Sequence, residues 1–127
     1  MVVCPPISAP EEGARSFLRS DTTEQLFDVR LNGVTADCTR HKSGDTVVVL
    51  TVGLKLDRNL AEGTDADVVA VPMMTAKVDD QQTIVANSEF GYTVGFGKGI
   101  EQQYPTVEIE EIVPANARLV ISLRPGY

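Results

Sequence analysis

The chain has 127 residues, 43% of them apolar, enough for one domain with a single core and too many for intrinsic disorder. With 11 basic and 18 acidic residues its formal charge is −7, so its surface repels phosphate backbones and anionic lipid heads, which argues against nucleic-acid binding. No apolar run approaches the ~20 residues needed to span a bilayer, and Trp is absent, so Val, Ile and Leu must fill the interior.

Residues 1–24 read as an extended N-terminal arm ahead of a domain spanning 25–127. Pro5, Pro6 and Pro10 fix φ and remove backbone donors, which excludes a helix there. Met1-Val2-Val3 supplies neither a basic segment nor an apolar one, so no signal peptide is expected within the chain as it stands. A Met followed at once by VVCPPISAP reads as the start of a trimmed chain, with an export segment expected upstream. Arg15–Leu18 is too short to assign. Asp21-Thr22-Thr23-Glu24 leads into a strand, with one capped helical turn as the other reading.

Phe27, Val29 and Leu31 alternate with Asp28 and Arg30; after Asn32-Gly33 the apolar parity slips by one, through Val34, Ala36 and Cys38. Asn-Gly is either a two-residue hairpin turn or the site of a bulge in one long strand, and the local pattern favours the hairpin. Arg40–Gly44 is a polar turn. Asp45–Leu56, DTVVVLTVGLKL, is the strongest strand signal, with β-branched residues dominant and Val52, Leu54 and Leu56 alternating with Gly53 and Lys55. It reads as the central strand, closed by turn chemistry at Asp57-Arg58-Asn59.

Asn59–Asp67 is an acidic loop. Asp67–Val71 is a short apolar run that Pro72 places at an edge or a bulge, and Met73–Val78 continues it. Asp79-Asp80-Gln81-Gln82 is a turn. Thr83–Ala86, extending towards Glu89, and Tyr92–Phe96 are two further strands, and Gly97-Lys98-Gly99 ends the second. Thr106–Ile112 and Arg118–Leu123 complete the set, and Pro125-Gly126 closes the chain. About seven short strands with almost no helix predict an all-β, single-domain, immunoglobulin-like β-sandwich.

Few residues carry chemistry. Cys4 and Cys38 make one disulfide or two free thiols; in an exported protein the bridge is the simplest reading, and closing about 34 residues would stabilise by roughly 3–4 kcal/mol in the chain-entropy model. His41 is the only histidine, so a Cys38–His41 metal or nucleophile pair lacks the further ligands it needs. Asp37, Cys38 and His41 would have to converge in a deep pocket for a hydrolase. Gly95-Phe96-Gly97-Lys98-Gly99 lacks the Ser or Thr and the following helix of a phosphate loop.

Glu62, Asp65 and Asp67 are weak candidates for a Ca²⁺ site, which wants six to eight oxygens; Glu108, Glu110 and Glu111 form a second acidic group. Paired carboxylates for glycoside hydrolysis would lack Trp platforms. In a strand Met73 and Met74 point to opposite faces and cannot chelate a soft metal together. Tyr92, Val94 and Phe96 read as core. No cofactor and no catalytic residue is expected.

In order, Cys4-Pro5, Leu18, Phe27–Cys38, Thr46–Leu56, Val71-Pro72-Met73-Met74-Thr75-Ala76-Lys77-Val78, Asn87–Phe90, Tyr92–Phe96 and Arg118–Leu123 resemble a family of small uncharacterised alphaproteobacterial lipoproteins. The resemblance implies a bulge at Asn32-Gly33, a Cys4–Cys38 bridge and an extracytoplasmic location. The family's aromatic pair after the proline is Met73-Met74 here, and its tyrosine near the last strand is Ala117. Val3 is not the small residue a lipobox needs, so the resemblance puts any lipid anchor, and hence any membrane contact, upstream of this chain. The functional expectation is a non-catalytic periplasmic or membrane-surface module that binds or supports an envelope protein or associates with itself. The alternative is a small-ligand or Ca²⁺ carrier using the loop 62–67.

Overall fold

A computed structural model describes residues 2–20 and 22–124. The expectations for Met1, the Asp21 cap and Pro125-Gly126 lie outside the described residues. The protein is an all-β sandwich of two sheets. The strands are β1 (Ile7–Ser8), β2 (Arg15–Arg19), β3 (Leu26–Arg40), β4 (Thr46–Arg58), β5 (Asp67–Val78), β6 (Ile84–Phe96), β7 (Gln102–Gln103), β8 (Thr106–Val113) and β9 (Arg118–Leu123). One sheet has the order β1-β9-β5-β6. The other is β2-β3-β4, with β7 and β8 both pairing the far side of β4.

β4 is central, as its sequence predicts. Val48, Leu50, Val52, Leu54 and Leu56 are fully buried, and they interdigitate with Val69, Val71, Met73, Leu119 and Ile121 of the facing sheet. The strand continues two residues past its expected end: Asp57 and Arg58 stay in the ladder with Asp28 and Phe27. Arg58 therefore occupies the next inward position of the stripe and is 4% exposed. A side chain two residues beyond Leu56 must share its face, so strand parity placed an arginine in the core.

Asn32-Gly33 is a bulge, not a hairpin turn. Leu31 pairs with Leu54 and Val34 with Val52, so two residues oppose the single residue Gly53. The bulge moves the inward set from Phe27, Val29 and Leu31 to Val34, Ala36 and Cys38, which keeps one apolar face along the whole strand. Local pattern favoured the hairpin because a parity slip at Asn-Gly looks the same in either case. What decides is long-range: both halves pair with the same continuous β4.

The arm is shorter than the stretch 1–24. Arg15–Arg19 is an edge strand paired with Leu26–Arg30, with Ser16 and Leu18 buried. Ile7 and Ser8 run parallel to Leu119 and Val120, and Cys4 is disulfide-bonded to Cys38. The two expected strands, Thr83–Ala86 and Tyr92–Phe96, fall in one strand, β6, which starts at Ile84 and is bulged near Val85.

Pro72 sits inside β5, a strand flanked on both sides. Arg124 N–H donates to the Pro72 carbonyl (2.8 Å), and the reciprocal bond would need a proline N–H. The orphaned Arg124 carbonyl takes the Ser16 hydroxyl instead (3.1 Å). Pro72 thus marks where the β5–β9 ladder stops, one residue before its first pair, Met73 with Leu123.

The bulge dictates one glycine. A Cβ on Gly53 would lie 2.3 Å from the Asn32 carbonyl oxygen, a backbone atom that the bulge pushes across the ladder. Gly53→Ala is expected to destabilise by about 2–4 kcal/mol, whereas Gly95→Ala, where a Cβ meets nothing within 4 Å, changes stability far less. Urea unfolding of the two variants checks this; equal midpoints would refute the close approach.

Candidate functional site

One end of the sandwich gathers residues 22–25 and the loops 59–66 and 97–101, and it includes the acidic stretch expected to matter. Its organising group is Arg58. The guanidinium donates through Nε to the Ile100 carbonyl (2.7 Å) and through Nη2 to the Gly97 carbonyl (3.0 Å). Nη1 reaches the Asp65 carbonyl (2.8 Å) and Gln25 Oε1 (3.3 Å). The same group lies 5.2 Å from the centre of the Phe96 ring, which stacks tilted on Phe27 at 4.9 Å. Five donors in a planar fork suit one side chain to several carbonyls at once. Gln25 extends the network, its Nε2 donating to the carbonyls of Asn59 (2.9 Å) and Gly63 (3.3 Å).

Asp67 is the second buried polar group here. Its carboxylate accepts from Ser20 Oγ (2.7 Å), Thr23 Oγ1 (2.5 Å) and the Val68 N–H (2.8 Å). Burial pushes its pKa up. Against that, the bonds from Thr23, Ser20 and Val68 and the nearby Arg58 charge hold it below the ordinary carboxylate range. Asp28, on the outer face, is likewise held low: its partial burial is outweighed by bonds from Arg15 (2.8 Å) and Arg30 (3.2 Å).

The three calcium candidates do not converge. Asp67 shares the inward parity of Val69 and Val71, and its oxygens are committed to Ser20 and Thr23. Glu62 and Asp65 are exposed and line an open cavity of about 520 Å³ with Arg19 and Glu24. Asp65 turns its carbonyl, not its carboxylate, towards Arg58. Among the described residues no three His, Cys, Asp or Glu side chains come together as a metal would need. The sequence grouped these acids by spacing; alternation across β5 separates them.

The other candidates fall as follows. Cys38 is in the disulfide, so it carries no thiol. His41 lies in the β3–β4 turn, its Nδ1 2.8 Å from Ser43 Oγ. Met73 is fully buried and Met74 faces the other way. Val94 and Phe96 are core and Tyr92 is half-buried. Gly97 supplies a carbonyl to Arg58, the opposite polarity from a phosphate cradle. Glu108 and Glu110 are exposed, but Glu111 points between the sheets. It is 8% exposed, accepts from Thr75 Oγ1 (3.3 Å) and lies 3.8 Å from Lys77 Nζ. Strand parity with Val107 and Val113 was the signal for that placement.

The outer edge of β6 is the other feature a partner could use. Ile84 and Val85 are more than half exposed, and Ala86 to Glu89 are exposed on both faces. The chain matches no family model, no curated protein and no solved structure.

Because the folded Asp67 binds its proton at lower pH than the unfolded chain does, its contribution is complete above the unfolded value near pH 4 and is lost as pH falls through the folded one. Asp67→Asn is expected to cost about 2–3 kcal/mol at neutral pH and to flatten the loss of thermal midpoint between roughly pH 5 and pH 2. Asp28 leaves a residual slope. Parallel pH profiles for variant and parent would refute the assignment.

Proposed function

We propose that this protein is a non-catalytic, extracytoplasmic β-sandwich module that works by protein–protein contact at the cell envelope, as a structural or accessory subunit. The observation that carries this reading is the outer edge of β6, a 13-residue strand bearing one charged side chain, Glu89, and hydrogen-bonded on one side only from Asn87 to Thr93. Unpaired edges of that length are templates for another strand. The interior supports the same reading, since its buried ionic groups, Arg58, Asp67 and Glu111, are spent on holding loops and sheets together.

The disulfide supports the proposed compartment. A Cys4–Cys38 bridge is compatible with an oxidising location, and no helix among the described residues is long and apolar enough to cross a membrane. With the lipoprotein resemblance, the proposal takes in an upstream anchor and a location in the periplasm or on the outer-membrane surface of a Gram-negative bacterium.

Two measurements test it. Protein isolated from its native cells in the presence of a thiol-blocking reagent should carry no label until reduced, and then two; label on the unreduced chain would remove the extracytoplasmic assignment. Cross-linking in those cells should give adducts, with an envelope protein or a second copy, that diminish when Asn87 is replaced by Pro. Adducts unchanged by that substitution would overturn β6 as the contact edge.

A further inference from the structure

We infer that β6 pairs antiparallel with β6 of a second copy of this chain, about a two-fold axis at Phe90, joining two four-stranded sheets into one of eight. The inference rests on the reading of β6 as the contact edge and names its occupant.

The free groups of that edge can be deduced from the ladder. Arg124 N–H bonds the Pro72 carbonyl, so even-numbered residues of β5 turn their backbone polar groups towards β9. Odd-numbered residues therefore face β6, where Val71, Met73, Thr75 and Lys77 pair with Tyr92, Phe90, Ser88 and Ala86. That leaves Asn87, Glu89, Gly91 and Thr93 with N–H and C=O directed outward. Gln103 Nε2 donates to the Gly95 carbonyl (3.0 Å), which confirms the parity and closes the strand's far end. The bulge at Val85 ends the regular edge on the other side. The open set is thus four residues, symmetric about Phe90.

A two-fold at Phe90 pairs the whole set with itself, Asn87 with Thr93 and Glu89 with Gly91. No like charges stand opposite one another, a condition for a favourable cross-strand pair. On the inner face Phe90 meets its own counterpart, and Ser88 lies opposite Tyr92. In the single chain Ser88 is exposed, and Phe90 and Tyr92 pack against the core but stay only half-buried. A second copy covers them with matching aromatic surface.

The other edges do not offer this. β1 is two residues long. β2 presents Arg15 and Arg19 within five residues. β8 carries Glu108, Glu110 and Glu111 within eight and would repel itself. A single-strand seam buries less than a standard interface, so a weak, concentration-dependent dimer is expected.

Sedimentation of the full chain at high micromolar concentration should show a monomer–dimer equilibrium. Asn87→Pro removes an outward donor without touching the β5–β6 ladder, so it should weaken the dimer roughly tenfold or more, from two lost bonds per pair, with the circular dichroism spectrum unchanged. Register is read by cysteine: non-hydrogen-bonded mates lie about 4.5 Å apart, within disulfide reach. Phe90→Cys should form a covalent dimer under mild oxidation, whereas Ser88→Cys and Thr93→Cys, whose own counterparts lie several residues away, should not. A parent chain that stays monomeric, or a Ser88→Cys dimer forming as fast as the Phe90→Cys one, overturns the self-pairing. That failure is separate from loss of the contact-edge reading, which the cross-links in cells decide.

Discussion

Everything in this sandwich is referred to the inward face of β4. Five fully buried aliphatic residues on alternate positions form its spine, with paired strands on both sides and the opposite sheet packed above. A shift of one residue would exchange that face for the one bearing Thr51, Lys55 and Asp57. The register of β3 is therefore held by β4, and the bulge at Asn32-Gly33 is the adjustment that lets a 15-residue partner present one face throughout. Gly53 is the price of that adjustment, since the displaced Asn32 carbonyl occupies the space of a side chain.

The charges inside the structure follow from the same alternation. Arg58 extends the spine of β4, Asp67 begins the inward row of β5, and Glu111 belongs to the inward row of β8. None is stranded: among the described residues no buried side-chain nitrogen or oxygen lacks a hydrogen-bond partner. Satisfied buried networks confer uniqueness more than net stability. Arg58 gathers carbonyls from two loops, so the loop end has one arrangement in which all its acceptors are filled. Lys77 and Glu111 approach to 3.8 Å across the two sheets.

The strand content, the central place of β4 and the turn at Asp79–Gln82 were legible because each depends on a short window of sequence. The Asp79 side chain accepts from the Gln81 and Thr83 amides, the local bonding such turns use. The bulge was not legible locally, since a slipped parity does not say whether the chain turns back. Arg58 reads as turn chemistry because arginine next to Asp and Asn looks like a loop; counting alternate positions from Leu56 puts it inside. The acidic candidates failed for the converse reason. Nearness along the chain put Glu62, Asp65 and Asp67 together, but a strand begins between them and turns Asp67 inward.

The parallel pairing of β1 with β9 sets an order on assembly. Ile7 and Ser8 are synthesised well before their partners, Leu119 and Val120. The sheet they complete can close only once β9 has emerged, and until then β1 has no neighbour along that side. Cys38, by contrast, follows Cys4 by only 34 residues. The covalent link can hold the leading segment near its destination while the remaining strands are still being made.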